Sequence, residues 1–170
     1  MHRLLGIIAC VLADSMFTNP AEATVFRVPT PRYRTINMAL SASSPGDTIL
    51  VASGEYKENI SFPWGITLVA PNGAMLRPEG SGLITMEGVD IELPITIAGF
   101  TITAPWNHAV MFDNTIFEIR NCTITCKSKG WYPLWAIDSE GVVTNTCFSG
   151  DPDFATLRAS VDVELRNNCE

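Results

Sequence analysis

Glu87, Asp113 and Glu140 stand 26 and 27 residues apart, each a few positions after an apolar pair and each followed by Gly or Asn. Carboxylates repeated at so regular an interval are expected to lie one above another in a stacked fold. Close carboxylates do not all ionise cheaply, so one would keep its proton. Such a set would also offer Ca2+ the several oxygen ligands it requires, and two carboxylates about 5 Å apart suit retaining glycoside hydrolysis. The structural reading competes, because Asp-Asn and Glu-Gly are ordinary turn pairs. His108 lies five residues before Asp113. It is a candidate general base, or simply a ring hydrogen-bonded at the start of a strand.

Aromatic residues form the second set. Trp106 and Trp131 are 25 residues apart, each in a loop before an apolar pair, with Tyr132 and Trp135 beside the second. Trp106, Trp131 and Tyr132 could present ring faces to sugars, or they could cover an open flank of the core, as Trp64 between Pro63 and Gly65 is expected to do. Cysteines form the third set. Cys122, Cys126, Cys147 and Cys169 are an even number, consistent with disulfides in any of three pairings. Buried thiols are the alternative, and the spacings fit no zinc motif.

These groups are positioned by a repeat. The pattern apolar, any, apolar, any, Gly or Asn, any, any, apolar occurs at Ile95–Ile102 and Phe117–Ile124, in degraded form at Val142–Phe148, and again from Val163. Its Gly or Asn positions, Gly99, Asn121, Asn145 and Asn167, are spaced by 22, 24 and 22 residues. The apolar-pair-plus-carboxylate pattern interleaves with it. Two alternating strand-and-turn units at this period predict a coil that buries its apolar side chains only by stacking on the next coil. Alternation turns Phe117 and Ile119 inward and Glu118 and Arg120 outward. The fold class expected is all-β, a right-handed parallel β-helix of about five to six coils. A capping helix within Pro31–Ser44, ended by Pro45-Gly46-Asp47, leads into a first strand at Thr48–Val51. An antiparallel sandwich also uses short strands, but it gives no reason for fixed turn chemistry at a fixed period.

The amino terminus reads as an export signal over residues 1–23. His2 and Arg3 precede an apolar run, and Ala21-Glu22-Ala23 fits an A-x-A cleavage site. Residues 24–46 then form an N-terminal segment with the capping helix, and 47–170 the β-helix. Removing 1–23 changes 11 basic and 18 acidic residues to 10 and 16, a net charge of about −6. So acidic a chain lacks the electrostatic footprint for nucleic acid and disfavours a polyanionic ligand unless cations bridge the two. The apolar run is too short to span a bilayer.

The stretch from Thr35 through Ser44-Pro-Gly-Asp47 and Thr48-Ile-Leu-Val-Ala-Ser-Gly-Glu-Tyr56 to Ile60, followed by Gly65-Ile-Thr-Leu-Val-Ala-Pro-Asn-Gly73, resembles the opening of right-handed β-helices of the pectin lyase-like superfamily. The likeness covers roughly residues 28–170. It implies the fold, while the superfamily spans lyases, glycosidases, esterases, epimerases and adhesins. Its polygalacturonase set (Asn-Thr-Asp, Asp-Asp, Gly-His-Gly, Arg-Ile-Lys) and its esterase Gln-Asp-Thr-Leu element are absent from this sequence. The function expected is therefore a secreted or cell-surface module that binds polysaccharide or glycan without cleaving it. Trp106, Trp131 and Tyr132 would form its platform, with Glu87, Asp113 and Glu140 as polar or calcium ligands. The alternatives are a polysaccharide lyase or glycoside hydrolase, and a scaffold that self-associates through an open C-terminal strand edge.

Overall fold

Three strand faces build each coil, and the corners between them explain the repeat. The computed structural model describes residues 22–63, 65–79, 84–87, 93–150, 157–159 and 162–169, with the backbone alone at 84–87 and 157–159. Most of the expected export signal and Trp64 lie outside the described residues. The first face stacks β1 (Val25–Val28), β2 (Thr48–Val51), the first half of β5 (Thr67–Leu76), the first half of β7 (Ile95–Ala104), β9 (Ile116–Arg120), β12 (Glu140–Thr144) and β15 (Val163–Arg166). The second carries β3 (Glu55–Tyr56), the far halves of β5 and β7, β10 (Thr123–Cys126) and β13 (Cys147–Ser149). The third carries β4 (Ser61–Phe62), β6 (Ile84–Glu87), β8 (Val110–Asp113), β11 (Leu134–Ile137) and β14 (Leu157–Ala159). Every described ladder is parallel, which excludes the antiparallel sandwich. The result is a parallel β-helix of about five turns.

The core is a set of columns, one residue per coil. Phe26, Ile49, Leu68, Ile97, Ile119, Val143 and Leu165 are successive register partners on the first face. All are buried except Leu165, which is 51% exposed in the last coil. Tyr56, Leu76, Ile102, Ile124 and Phe148 form the column of the second face. β-Branched and aromatic side chains dominate because each sits on a pleated surface between like neighbours about 4.8 Å above and below.

The corner between the first and second faces needs a left-handed residue. Gly99, Asn121, Asn145 and Asn167 have φ of 79°, 54°, 50° and 52°, as the sequence pattern requires. Glycine is the tightest case, since a β-carbon at Gly99 would lie 2.3 Å from the Ala70 carbonyl oxygen. Asn145 Nδ2 also donates to Asn121 Oδ1 at 3.4 Å, linking corners of adjacent coils. Polar side chains of the neighbouring coil satisfy the amides that the corners release. Thr146 N donates to Asn168 Oδ1 at 2.8 Å, and Cys122 N to Thr146 Oγ1 at 3.4 Å.

The capping helix is shorter than the pattern suggests. α1 spans Ile36–Leu40, with Thr35 as N-cap accepting from Met38 N. Ser41 and Ser43 donate their hydroxyls to the Asn37 and Leu40 carbonyls, so the polar tail of the expected helix closes as turns. Ile36, Ala39 and Leu40 cover the first coil. The Glu58 carboxylate accepts from Ile36 N and Asn37 N at 3.0 Å each, tying the helix start to that coil.

Candidate functional site

The three carboxylates do not form one ladder. Glu87 and Asp113 are register partners on the third face, but the partner of Asp113 in the next coil is Ile137. Glu140 begins β12 on the first face, opposite Ile116. The hydrogen bonds around the corner fix this register. Asn114 N donates to Ile137 O at 3.0 Å, Thr115 N to Ser139 Oγ at 3.1 Å and Glu140 N to Thr115 O at 3.1 Å. The residue equivalent to Asn114 (φ 48°) is therefore Asp138 (φ 43°). Glu87 and Asp113 thus share a register position one coil apart, and the third carboxylate belongs to another face. Among the described residues no group of three His, Cys, Asp or Glu side chains is placed to hold a metal ion.

His108 is a core residue, 2% exposed. Its Nδ1 accepts the Tyr132 backbone N–H at 2.9 Å, so the imidazole joins the loops of two successive coils. Tyr132 stacks on its ring at 5.6 Å, and Trp131 and Trp135 meet it edge-on at 4.8 and 4.0 Å. The expected aromatic set thus divides. Trp131, 39% exposed, and Tyr132 belong to a cluster around His108, whereas Trp106 is 64% exposed on the neighbouring loop. The cause is loop length, because five residues (105–109) join the second and third faces in one coil and seven (127–133) in the next. Counted back from the register partners Val110 and Leu134, Trp131 therefore aligns with Asn107 and not with Trp106.

The cysteines also divide. Cys147 and Cys169 are bridge partners in adjacent coils, with Cα atoms 4.5 Å apart, and form a disulfide 22 residues apart in sequence. Cys122 and Cys126 are buried thiols. Desolvation pushes the Cys122 thiol above its ordinary pKa, against backbone contacts that lower it. Its Sγ donates to Arg120 O at 3.3 Å, and that of Cys126 to Asn107 O at 3.1 Å.

A groove of about 380 Å³ lies where the second face turns toward the third, lined by Lys57, Arg77, Pro78, Glu79, Thr103, Pro105 and Lys127. Since Tyr56 and Leu76 are register partners, the outward residues that follow them, Lys57 and Arg77, stack in consecutive coils. Thr103 continues that column, and Lys127 follows β10 one coil further on. Only Arg77 among these cations has an ion pair described, a 3.5 Å contact with Glu55 in which both side chains are close to half exposed, weak in such a setting. Trp106 follows Pro105 directly, at the groove's margin in the chain. An acidic chain thus gathers three cations on one stretch of surface. Sequence reasoning missed them, because Lys57, Arg77 and Lys127 carry no motif and come together only when the coil register is known.

No protein-family model, curated protein or solved structure matches this chain. Among the described residues no helix is long and apolar enough to cross a membrane.

Proposed function

We propose that this is an exported β-helix module, a short member of the pectin lyase-like superfamily, that binds an extended polysaccharide or glycan without cleaving it. The groove at the turn from the second face to the third carries the reading. It runs across successive coils rather than closing around a small molecule, and its lining matches a saccharide chain bearing carboxylates. Lys57, Arg77 and Lys127 offer charge-assisted hydrogen bonds to acidic groups, Thr103 and Glu79 can bond hydroxyls, and the exposed Trp106 offers a ring face. The groove's three cations face the carboxylates of Glu55 and Glu79, a local excess of one positive charge set against the overall acidity, and such charges act within about one Debye length.

The test follows retention on neutral and acidic polysaccharides together with product mass, in calcium and in chelator. Retention on an acidic polysaccharide with no shortened or unsaturated product is expected. The double variant Lys57→Gln/Lys127→Gln should lose at least tenfold in affinity. New products, abolished by Asp113→Asn, would establish the enzyme reading at the Glu87–Asp113 pair. Loss of retention in chelator would favour calcium at that pair. A folded protein that is retained on nothing would favour the scaffold, with self-association at the β15 edge, where Leu165 is exposed, read by light scattering.

A further inference from the structure

Asp47 is a carboxylate 6% exposed, held by two backbone donors. Thr24 N lies 2.6 Å from its Oδ1 and Ser44 N 2.7 Å from its Oδ2. None of the ion pairs among the described residues includes it. A buried carboxylate met only by neutral N–H groups is incompletely compensated for its lost hydration. Thr24 is itself fixed against the first coil, since its carbonyl accepts from Thr48 N at 2.9 Å and β1, which follows it, pairs with β2 from Val25 onward. Residues 22–25 are exposed, which leaves the Ala23–Thr24 peptide bond open to a peptidase, and Ala21-Glu22-Ala23 supplies the small-x-small pattern that such an enzyme cuts after.

We infer that cleavage between Ala23 and Thr24 supplies the cation that Asp47 lacks, so that the new α-ammonium of Thr24, itself at the surface, forms an ion pair with the buried Asp47 carboxylate. This rests on the reading of residues 1–23 as an export signal and is independent of the groove. In the step, a leader peptidase hydrolyses the Ala23–Thr24 C–N bond. Water gives its hydroxyl to the Ala23 carbonyl carbon and a proton to the Thr24 nitrogen, which takes a further proton from solvent. The nitrogen already sits at hydrogen-bond distance from Oδ1, so the conversion from amide to ammonium needs no rearrangement of the first coil. It exchanges a neutral donor for a charged one at the same place. Processing and completion of the N-terminal end of the stack thereby become one event.

The experiment expresses the full chain with export and reads the N-terminal residue of the product by mass. It then measures the rate at which the terminal amine reacts with an acylating reagent at about pH 6.5, below the ordinary α-amino pKa, by mapping the terminal peptide. A product beginning at Thr24 is expected. Its amine should react at least tenfold more slowly in the native protein than in Asp47→Asn, because the ion pair keeps it protonated, and a tenfold change corresponds to about one pKa unit. If Asp47→Asn does not fold, the comparison is made with the wild-type product unfolded in denaturant, corrected by a reference peptide of the same N-terminal sequence. A product that begins elsewhere would overturn the processing step. A Thr24 amine that reacts equally fast with and without Asp47, or folded and unfolded, would overturn the ion pair.

Discussion

The ring of Phe117 occupies the space that a side chain at Gly141, its register partner one coil on, would need. A β-carbon there would lie 2.5 Å from the ring carbons Cε2 and Cζ. Phe117 in turn stacks on Phe112 from the third face, with ring centres 3.9 Å apart and planes 7° from parallel. Phe117 and Gly141 complement each other in this column, because the close-packed interior leaves no room for a side chain beside the ring. Gly141→Val should therefore destabilise the protein by about 1–3 kcal/mol through overpacking. Phe117→Leu in the same chain should recover part of the loss, a non-additivity visible in denaturant midpoints.

Asn145 holds its corner at φ 50°. Alanine there would adopt a conformation costing about 1–2 kcal/mol and would forfeit the contact with Asn121. Asn145→Ala should lower thermal stability measurably by circular dichroism, whereas Asn145→Gly should stay close to the parent.

Trp106 and Trp131 should behave oppositely. Trp131→Ala removes an edge contact with His108 and is expected to cost about 1 kcal/mol of stability while leaving glycan retention intact. Trp106→Ala exchanges an exposed side chain and should leave the unfolding midpoint unchanged but weaken retention. The reverse pattern would move the binding surface from the groove margin to the aromatic cluster.

The cysteines carry a pH signature. Burial raises the pKa of Cys122 above its ordinary 9.0, and that of Tyr56 above 10.0 through burial and the nearby Glu58. The folded chain then keeps protons that the unfolded chain releases. The contribution is complete below those unfolded values and is lost as pH rises through the folded ones. The denaturation midpoint should fall above about pH 9, less steeply in Cys122→Ala. In native protein at neutral pH, Cys122 and Cys126 should resist alkylation. Reducing Cys147–Cys169 should cost up to about 3 kcal/mol for a loop of this length.

The sequence reveals the corners and not the exposed surface. Asn121, Asn145 and Asn167 are readable because a left-handed corner admits little but Asn or Gly, so chemistry and period coincide. The carboxylate pattern misleads at its third copy. Leu134–Asp138 and Ala136–Glu140 both repeat the spacing of Ala109–Asp113, yet the strand register sets Ile137 opposite Asp113 and Asp138 at the corner equivalent to Asn114, so neither acid continues the column. Cys147 and Cys169 pair because each lies two residues after a corner asparagine, on the same outward column, a relation available once the corners are aligned. Lys57, Arg77 and Lys127 lie on outward positions, where packing exerts no selection that a pattern could register.

The two loops joining the second and third faces differ by two residues, yet the strands on either side keep their register. Length variation is absorbed at that corner and does not travel along the stack. This makes it the place where an insertion is tolerated at little structural cost, beside the groove and carrying Trp106. Recognition could therefore diversify in that loop while the columns beneath it stay under constant packing, and a graft of foreign residues between Pro105 and His108 should alter what the surface binds before it alters how the chain folds.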